Sequence, residues 1–353
     1  MGKLHVFNPE HDIALASHQW QFTSPRAGRQ LREDLCWLPV LWASEGDAIL
    51  VSDSFDVSQL DAEYQNFKFV TLNEIHNKKF RLSDLSSNDR TSFFDVVSPW
   101  GFDRAIAHSL GYVHTPELTS RLDKIRMLSS RQWCASHLQN DVDYCTSSLE
   151  VEASISRHVT NTRRMKGPSD TGVVFKSPWS SSGRGVQFHY NATWVSSVIR
   201  RQGGIIVEPQ YQKVIDFAFE YISHDGIIEY AGLSLFATSG GAYTGNILAS
   251  EVEKERILAQ YLSLERQKEL RQSIIDKVSA DITPVYQGPF GVDMMIVNAD
   301  TASETSIGHD QVVVCELNLR RTMGHVALAL SRTHLGEMQI KFDGNHYSLQ
   351  IRE

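Results

Sequence analysis

The stretch Val312-Val-Val-Cys-Glu-Leu-Asn-Leu-Arg-Arg-Thr322, near the C-terminus, decides the fold. Three consecutive valines and a cysteine read as a short buried strand, and successive side chains of a strand alternate faces. Glu316 and Asn318 therefore share one face, with Leu317 and Leu319 on the other. An acid, an amide and then Arg320, each two residues apart, line one side of the strand end. That is how oxygen ligands for a hard cation are presented with a cation for phosphate beside them. Upstream, Gly291-Val-Asp-Met-Met-Ile-Val297 reads as a partner strand, followed by a polar connection over 298–310. Paired as an antiparallel hairpin, the two strands bring Asp293 to Glu316, so two carboxylates and a carboxamide oxygen share one locus. The alternative is a wet strand end whose polar groups bond neighbouring loops, since ion-pair networks also gather charges.

A second informative stretch lies midway. Val173-Val-Phe-Lys-Ser177 is a strand feeding Pro178-Trp-Ser-Ser-Ser-Gly-Arg-Gly-Val186. Gly183 and Gly185 let the backbone expose successive N–H groups as an anion-binding nest, with Lys176 and Arg184 supplying charge. It is not the GxxxxGK[ST] phosphate loop, and a strand over 186–190 follows it, so a strand-loop-strand flap is expected. Gly204-Ile-Ile-Val-Glu-Pro-Gln-Tyr211 is a further strand, leading through a short linker to another at 215–222, a crossover between two lobes. A strand over 227–238, a turn-rich loop over 239–246 and a charged helical run over 251–280 come next.

The first ~115 residues alternate apolar runs with helix-like segments, the pattern of a layered α/β unit. Strands are expected at 4–8, 48–52, 67–72 and 93–98, and helices at 25–43, 102–110 and 118–138. No GxGxxG follows any of these strands. The loops Asn8-Pro-Glu-His-Asp12 and Ser98-Pro-Trp-Gly-Phe-Asp103 follow the first and fourth strands, where α/β sheets place ligands. Asp12 and Asp103 serve there either as helix caps or toward a substrate, and Trp100, Phe102, His11 and His325 are the candidates for the substrate side.

At 353 residues the chain exceeds what one core supports, so two or three domains are expected. With 34 Lys+Arg against 42 Asp+Glu, the net charge of -8 offers no footprint for nucleic acid or an anionic membrane. No apolar run is long enough to span a bilayer, and no signal peptide opens the chain. Cys36, Cys134, Cys145 and Cys315 lack CxxC spacing, which fits reduced thiols in a cytoplasm. A homodimer is the default assembly.

In order, the chain offers a Lys-bearing strand, a Ser/Gly flap, a strand ending in Glu208, the acid Asp216, a Gly-Val-Asp strand and Glu316-x-Asn318-x-Arg320. That order resembles the ATP-grasp superfamily of carboxylate–amine/thiol ligases and some kinases, over about residues 118–330. The resemblance implies an α/β, Rossmann-like N-terminal domain over 1–116, a small lobe with the phosphate flap over 117–211 and a C-terminal α+β lobe with the metal site over 212–353. It implies ATP and Mg2+ as cofactors, with Lys176 on the phosphates beneath a flap of Ser181, Ser182, Gly183, Arg184 and Gly185. Glu208 would bond the adenine amino group beside the Tyr211 backbone, and Asp216 the ribose. Asp293, Glu316 and Asn318 look like the magnesium ligands, and Arg320 would face the transferred phosphoryl group. A second basic residue reaching ATP is Lys124 or Arg131. The activity so implied is an ATP-dependent ligase joining small-molecule carboxylate and amine substrates through an acyl phosphate. Alternatives are an ATP-grasp kinase with a hydroxyl acceptor and a non-catalytic nucleotide-binding protein.

Overall fold

The computed structural model describes residues 2–80, 93–161, 172–180, 185–240, 242–298 and 312–353. Strands β1 (Leu4–Val6), β2 (Ala48–Val51), β3 (Lys68–Thr71) and β4 (Val97–Pro99) form a parallel sheet in the order β3-β2-β1-β4. Interleaved with these strands in sequence are α1 (His11–Ser17), α2 (Arg26–Asp34), α3 (Leu72–His76), α4 (Phe93–Val96) and α5 (Arg104–Ser109). Parallel strands need covered faces, and Leu4, Val6, Ala48, Ile49 and Val97 are all buried. The helix expected at 25–43 stops at Asp34, and a 3₁₀ turn, Leu38–Leu41, follows with Pro39 in its first turn. The strand expected at 93–98 is the short helix α4 running straight into β4.

Next come α6 (Pro116–Leu128) and α7 (Arg131–Leu138), where one helix was expected. The break has a local cause. Ser130 is the N-cap of α7, its side chain accepting from Trp133 N, so the chain starts a new helix at Arg131.

Strand β5 (Asp143–Cys145), helix α8 (Ser148–Asn161), strands β6 (Val173–Lys176) and β7 (Val186–Gln187), helix α9 (Ala192–Gln202) and strand β8 (Ile205–Pro209) make a second unit. Its sheet, β5-β8-β6-β7, is antiparallel and carries α8 and α9 on a core of Val151, Val173, Phe175, Val195 and Val207.

The third unit holds β9 (Lys213–His224), β10 (Ile227–Ser239), β11 (Ala242–Leu248), α10 (Glu251–Leu258), α11 (Leu264–Ile282), β12 (Gly288–Val297), β13 (Val312–Asn318), α12 (Met323–Leu330), β14 (Gly336–Phe342) and β15 (Tyr347–Arg352). Its seven strands run β13-β12-β9-β10-β11-β14-β15, all antiparallel. The stretch expected as a loop over 239–246 is mostly β11, hydrogen-bonded to β10 across a turn in which Gly240 has φ 58°. Serines again punctuate the helical run: Ser250 caps α10 and Ser263 caps α11.

The valines of β13 are only half-buried, because β13 is the sheet's edge rather than its centre. Gln139 covers that edge, its Nε2 donating to the Val314 and Cys315 carbonyls at 2.7 and 3.1 Å. The architecture is thus an α/β unit followed by two antiparallel α+β units. No helix among the described residues is long and apolar enough to cross a membrane.

Candidate active site

Asp293 of β12 stands opposite Glu316 of β13 and Ala218 of β9, while Gly291 stands opposite Asn318 and Glu220. Partners across antiparallel strands share a face. Asp216, Ala218 and Glu220 therefore run down the same face as Asp293, Glu316 and Asn318. The other face carries Phe217, Phe219, Val292, Met294 and Leu317, in one core with Leu258, Ile274 and Val278 of the two helices behind the sheet. Register shifts between Asp293 and Met294, with Cys315 the extra residue. The bulge lies where the valines give way to Glu316, the kind of kink that re-aims a side chain.

The polar groups on this face are tied together. Asn318 Nδ2 donates to Asp293 Oδ2 at 2.9 Å, and Arg320 Nη2 donates to Asn318 Oδ1 at 2.8 Å. Arg131, at the start of α7, donates from Nη2 to Glu316 Oε2 (2.8 Å) and from Nη1 to Ser177 O (2.8 Å) and Ser180 Oγ (2.7 Å). Arg320 turns its Nε (3.1 Å) and Nη2 (2.9 Å) onto Asp12 of α1, joining the C-terminal sheet to the N-terminal unit. Arg321 N donates to Trp100 O at 2.8 Å alongside.

Burial, then the charge of Glu316, pushes the Asp293 carboxyl up to about 7, against the pull of Arg320 and Asn318. Glu220 is buried deeper still. Burial and the charge of Asp293 push it up to about 8, although Thr322 Oγ1 donates to its Oε1 at 2.9 Å. Its Oε2 approaches His325 Nδ1 to 3.0 Å out of hydrogen-bonding alignment. Gly291 and Gly324 cradle this carboxyl: a Cβ on either would lie 2.5 Å or 1.9 Å from a Glu220 oxygen. For Asp12, burial favours the proton, but the charge and hydrogen bonds of Arg320, with His11 and Arg131, together outweigh it and hold the carboxyl below its usual range.

Two facing acids, one of them held by Arg131, with an amide between strand and arginine, suit magnesium, which takes few protein oxygens and keeps water and phosphate oxygens. Among the described residues no group of three or more His, Cys, Asp or Glu is gathered, so the donor set is this mixed one. Asn318 turns its nitrogen to Asp293; its oxygen would be free to serve as a ligand only if the two ends of the amide exchanged places.

The raised carboxyls carry a pH prediction. Each holds its proton more tightly folded than unfolded, so each costs stability as pH rises above the ordinary carboxylate range of about 4. The cost grows until pH passes about 7 for Asp293 and about 8 for Glu220. A dication at the pair relieves it. Magnesium is therefore expected to raise the denaturation midpoint more at about pH 8 than at about pH 6. An equal effect at both pH values would show that the ion binds elsewhere.

Of the other expected site residues, Lys176 and Glu208 are paired with each other, Nζ to Oε1 at 2.5 Å, across adjacent strands. Burial works against the Lys176 charge, but its neighbours, Glu208 foremost, together hold the amine above its usual range. Glu208 and Tyr211 line a slot of about 120 Å³ with Leu138, Val142, Ile274 and Val313, at the junction of the two antiparallel units. Asp216 accepts from Lys213 Nζ (2.5 Å) and Thr238 Oγ1 (2.7 Å). Of the two basic residues, Arg131 lies in the cluster, whereas Lys124 lines a surface depression with His114 and Asp123. Ser181, Ser182, Gly183 and Arg184 lie outside the described residues. Gly185, which is described, accepts at its carbonyl from Ser177 N at 2.8 Å, and a Cβ there would lie 2.1 Å from Ser177 Oγ.

A cavity of about 450 Å³ opens on the cluster, lined by Asp293, Glu316, Asn318, Arg320 and Arg131 on one side and by Glu10, Asp12 and Trp100 on the other. Of the substrate-side candidates, only Trp100 lines it. Asp103 is a helix cap, accepting from Ile106 N, and His11 Nδ1 is 2.9 Å from it. Phe102 packs in the core, and His325 completes the capping box of α12 with Thr322. Sequence reasoning missed Glu220 with its partner Thr322, and Glu10 on the cavity wall. Glu220 had a signal, since it falls two strand periods after Asp216.

No protein-family model matches the sequence, and no curated protein matches it. Among solved structures the chain is similar to N5-carboxyaminoimidazole synthetase from Staphylococcus aureus complexed with ADP, at 10% identity and a TM-score of 0.48, over 97% of this chain and 82% of that one. It is also similar to N5-carboxyaminoimidazole ribonucleotide synthetase from Thermus thermophilus (11%, TM-score 0.45, 96% and 82%). A third is an L-amino acid ligase from Bacillus licheniformis (14%, TM-score 0.42, 93% and 69%).

Proposed function

We propose that this chain is a Mg-ATP-dependent ligase of the ATP-grasp type, joining a carboxylate to an amino-acid- or peptide-like amine through an acyl phosphate. The observation that carries the reading is the convergence of Asp293, Glu316 and Asn318 with Arg131 and Arg320 on one sheet face at a cavity. Asp293, Glu316 and Asn318 would hold magnesium, whose role is to neutralise the transferring phosphoryl group and orient it.

Arg131 and Arg320 offer guanidinium forks to phosphate or carboxylate oxygens, and Lys176 a point charge. The slot beside Glu208 and Tyr211 suits a nucleobase, with Val142, Ile274 and Val313 against its faces. In the first step a carboxylate oxygen attacks the γ-phosphorus, the bond to the bridging oxygen breaks and ADP departs. The amine then attacks the carbonyl carbon, phosphate leaves with the bonding pair, and the amine's proton passes to water or phosphate. Positioning and charge neutralisation supply most of the acceleration in such transfers.

The test is nucleotide hydrolysis over a matrix of paired carboxylates and amines. ADP and free phosphate are expected in equal amounts, and only when both co-substrates are present. Phosphate retained on a hydroxyl product, or no ADP from any pair, would overturn the reading.

A further inference from the structure

Beyond Arg320 the same cavity continues toward the N-terminal sheet, and its charge there is one-sided. Among the described lining residues the cations are Arg131 and Arg320, each already paired with an acid, Glu316 and Asp12. The distal wall is apolar, with Phe7, Leu31, Leu35, Trp100, Ile340 and Tyr347. With Arg131 and Arg320 given to the nucleotide, a phosphorylated substrate would find no further cation among these lining residues, and a phosphate dianion facing apolar walls and carboxylates is strongly disfavoured.

One polar group in this part is left over. Glu10 lines the cavity at 7% exposure, and its Oε2 has no hydrogen-bond partner. Its other oxygen takes Arg32, a residue that does not line the cavity and whose side chain is 42% exposed. A buried carboxylate oxygen is a strong acceptor, and burying it unsatisfied is costly unless a donor arrives. Burial holds this carboxyl above its usual range despite Arg32, so the charge of Arg32 does not fully compensate it. The loop carrying it is rigidly set: Asn8 Nδ2 donates to Gly101 O at 2.9 Å and to Asp103 Oδ2 at 3.2 Å, locking the ends of β1 and β4 together.

We propose that this half of the cavity seats a primary amine on an apolar, unphosphorylated body, its nitrogen at Glu10 and its body against Phe7, Leu31, Leu35 and Ile340. The inference rests on the ligase reading, in which this is the nucleophile's seat. It separates this chain's second substrate from phosphate-bearing amines.

Calorimetry on the full chain tests it, with magnesium and a non-hydrolysable ATP analogue titrated first and phenethylamine or glucosamine 6-phosphate second. Phenethylamine is expected to bind, and glucosamine 6-phosphate not to. Glu10→Gln should weaken phenethylamine by roughly tenfold or more, with analogue affinity unchanged. Leu31→Trp, which fills the apolar wall and leaves Glu10 in place, should block it. Melting curves on both variants confirm folding. Binding of the phosphorylated amine, or of neither amine, or phenethylamine binding indifferent to both substitutions, overturns the proposal while leaving the nucleotide reading intact. Failure of the analogue itself to bind overturns the ligase reading, and this proposal with it.

Discussion

Arg320→Ala is expected to lower ADP-forming turnover by roughly a hundred- to a thousandfold and to destabilise the protein as well. The two effects have separate origins. On the proposed reading, turnover falls because the guanidinium that would meet the transferring group is gone. Stability falls because Asp12, 15% exposed at its side chain, keeps a buried charge without its partner. Breaking such a pair costs on the order of 3 kcal/mol. The wild-type contribution has a defined pH window. Asp12 is held below its ordinary pKa, so the pair's stabilisation is complete above about pH 4 and fades as pH falls through the depressed value. Adding Asp12→Asn to Arg320→Ala should restore most of the denaturation midpoint and none of the turnover. Recovery of both would make Arg320 a structural strut; turnover unchanged in the single variant would remove it from the phosphoryl seat.

Glu316→Gln is nearly isosteric and removes one charge from the facing pair, and turnover is expected to fall by roughly a thousandfold. Arg131 then loses its carboxylate and keeps Ser177 O and Ser180 Oγ. Asp293 loses the like charge that, after burial, does most to raise it, so its titration moves down toward the usual carboxylate range. The difference between magnesium's effects on stability at high and low pH should therefore shrink in this variant. A rise in that difference would mean that the coupling between the two acids has been misassigned.

Much of this site was legible in the chain because strand alternation is a strict geometric rule. Glu316, Asn318 and Arg320 two apart, with a Gly-Val-Asp strand upstream, located the face and its hairpin partner from sequence. The place of Arg131 at a helix start was legible too, had Ser129-Ser130 been read as a helix stop and N-cap. Alternation from Asp216 would likewise have reached Glu220.

Other features were not legible, for physical reasons. The Asp12–Arg320 pair spans 308 residues, and no local pattern encodes such a meeting. The valines of β13 read as buried because hydrophobicity alone does not distinguish a central strand from an edge covered by one glutamine. The strand β11 read as a loop because Tyr243-Thr-Gly-Asn246 has turn composition, and its pairing with β10 overrides that preference.

The measurement that bears most directly on the central claim is Mg-ATP binding by calorimetry on wild type and Glu316→Gln, each with and without magnesium. Micromolar-range binding that requires magnesium in the wild type and weakens by roughly tenfold or more in the variant is the predicted result. Absence of binding, or binding indifferent to both the metal and the substitution, would contradict it and reduce Asp293, Glu316 and Asn318 to a polar strand end.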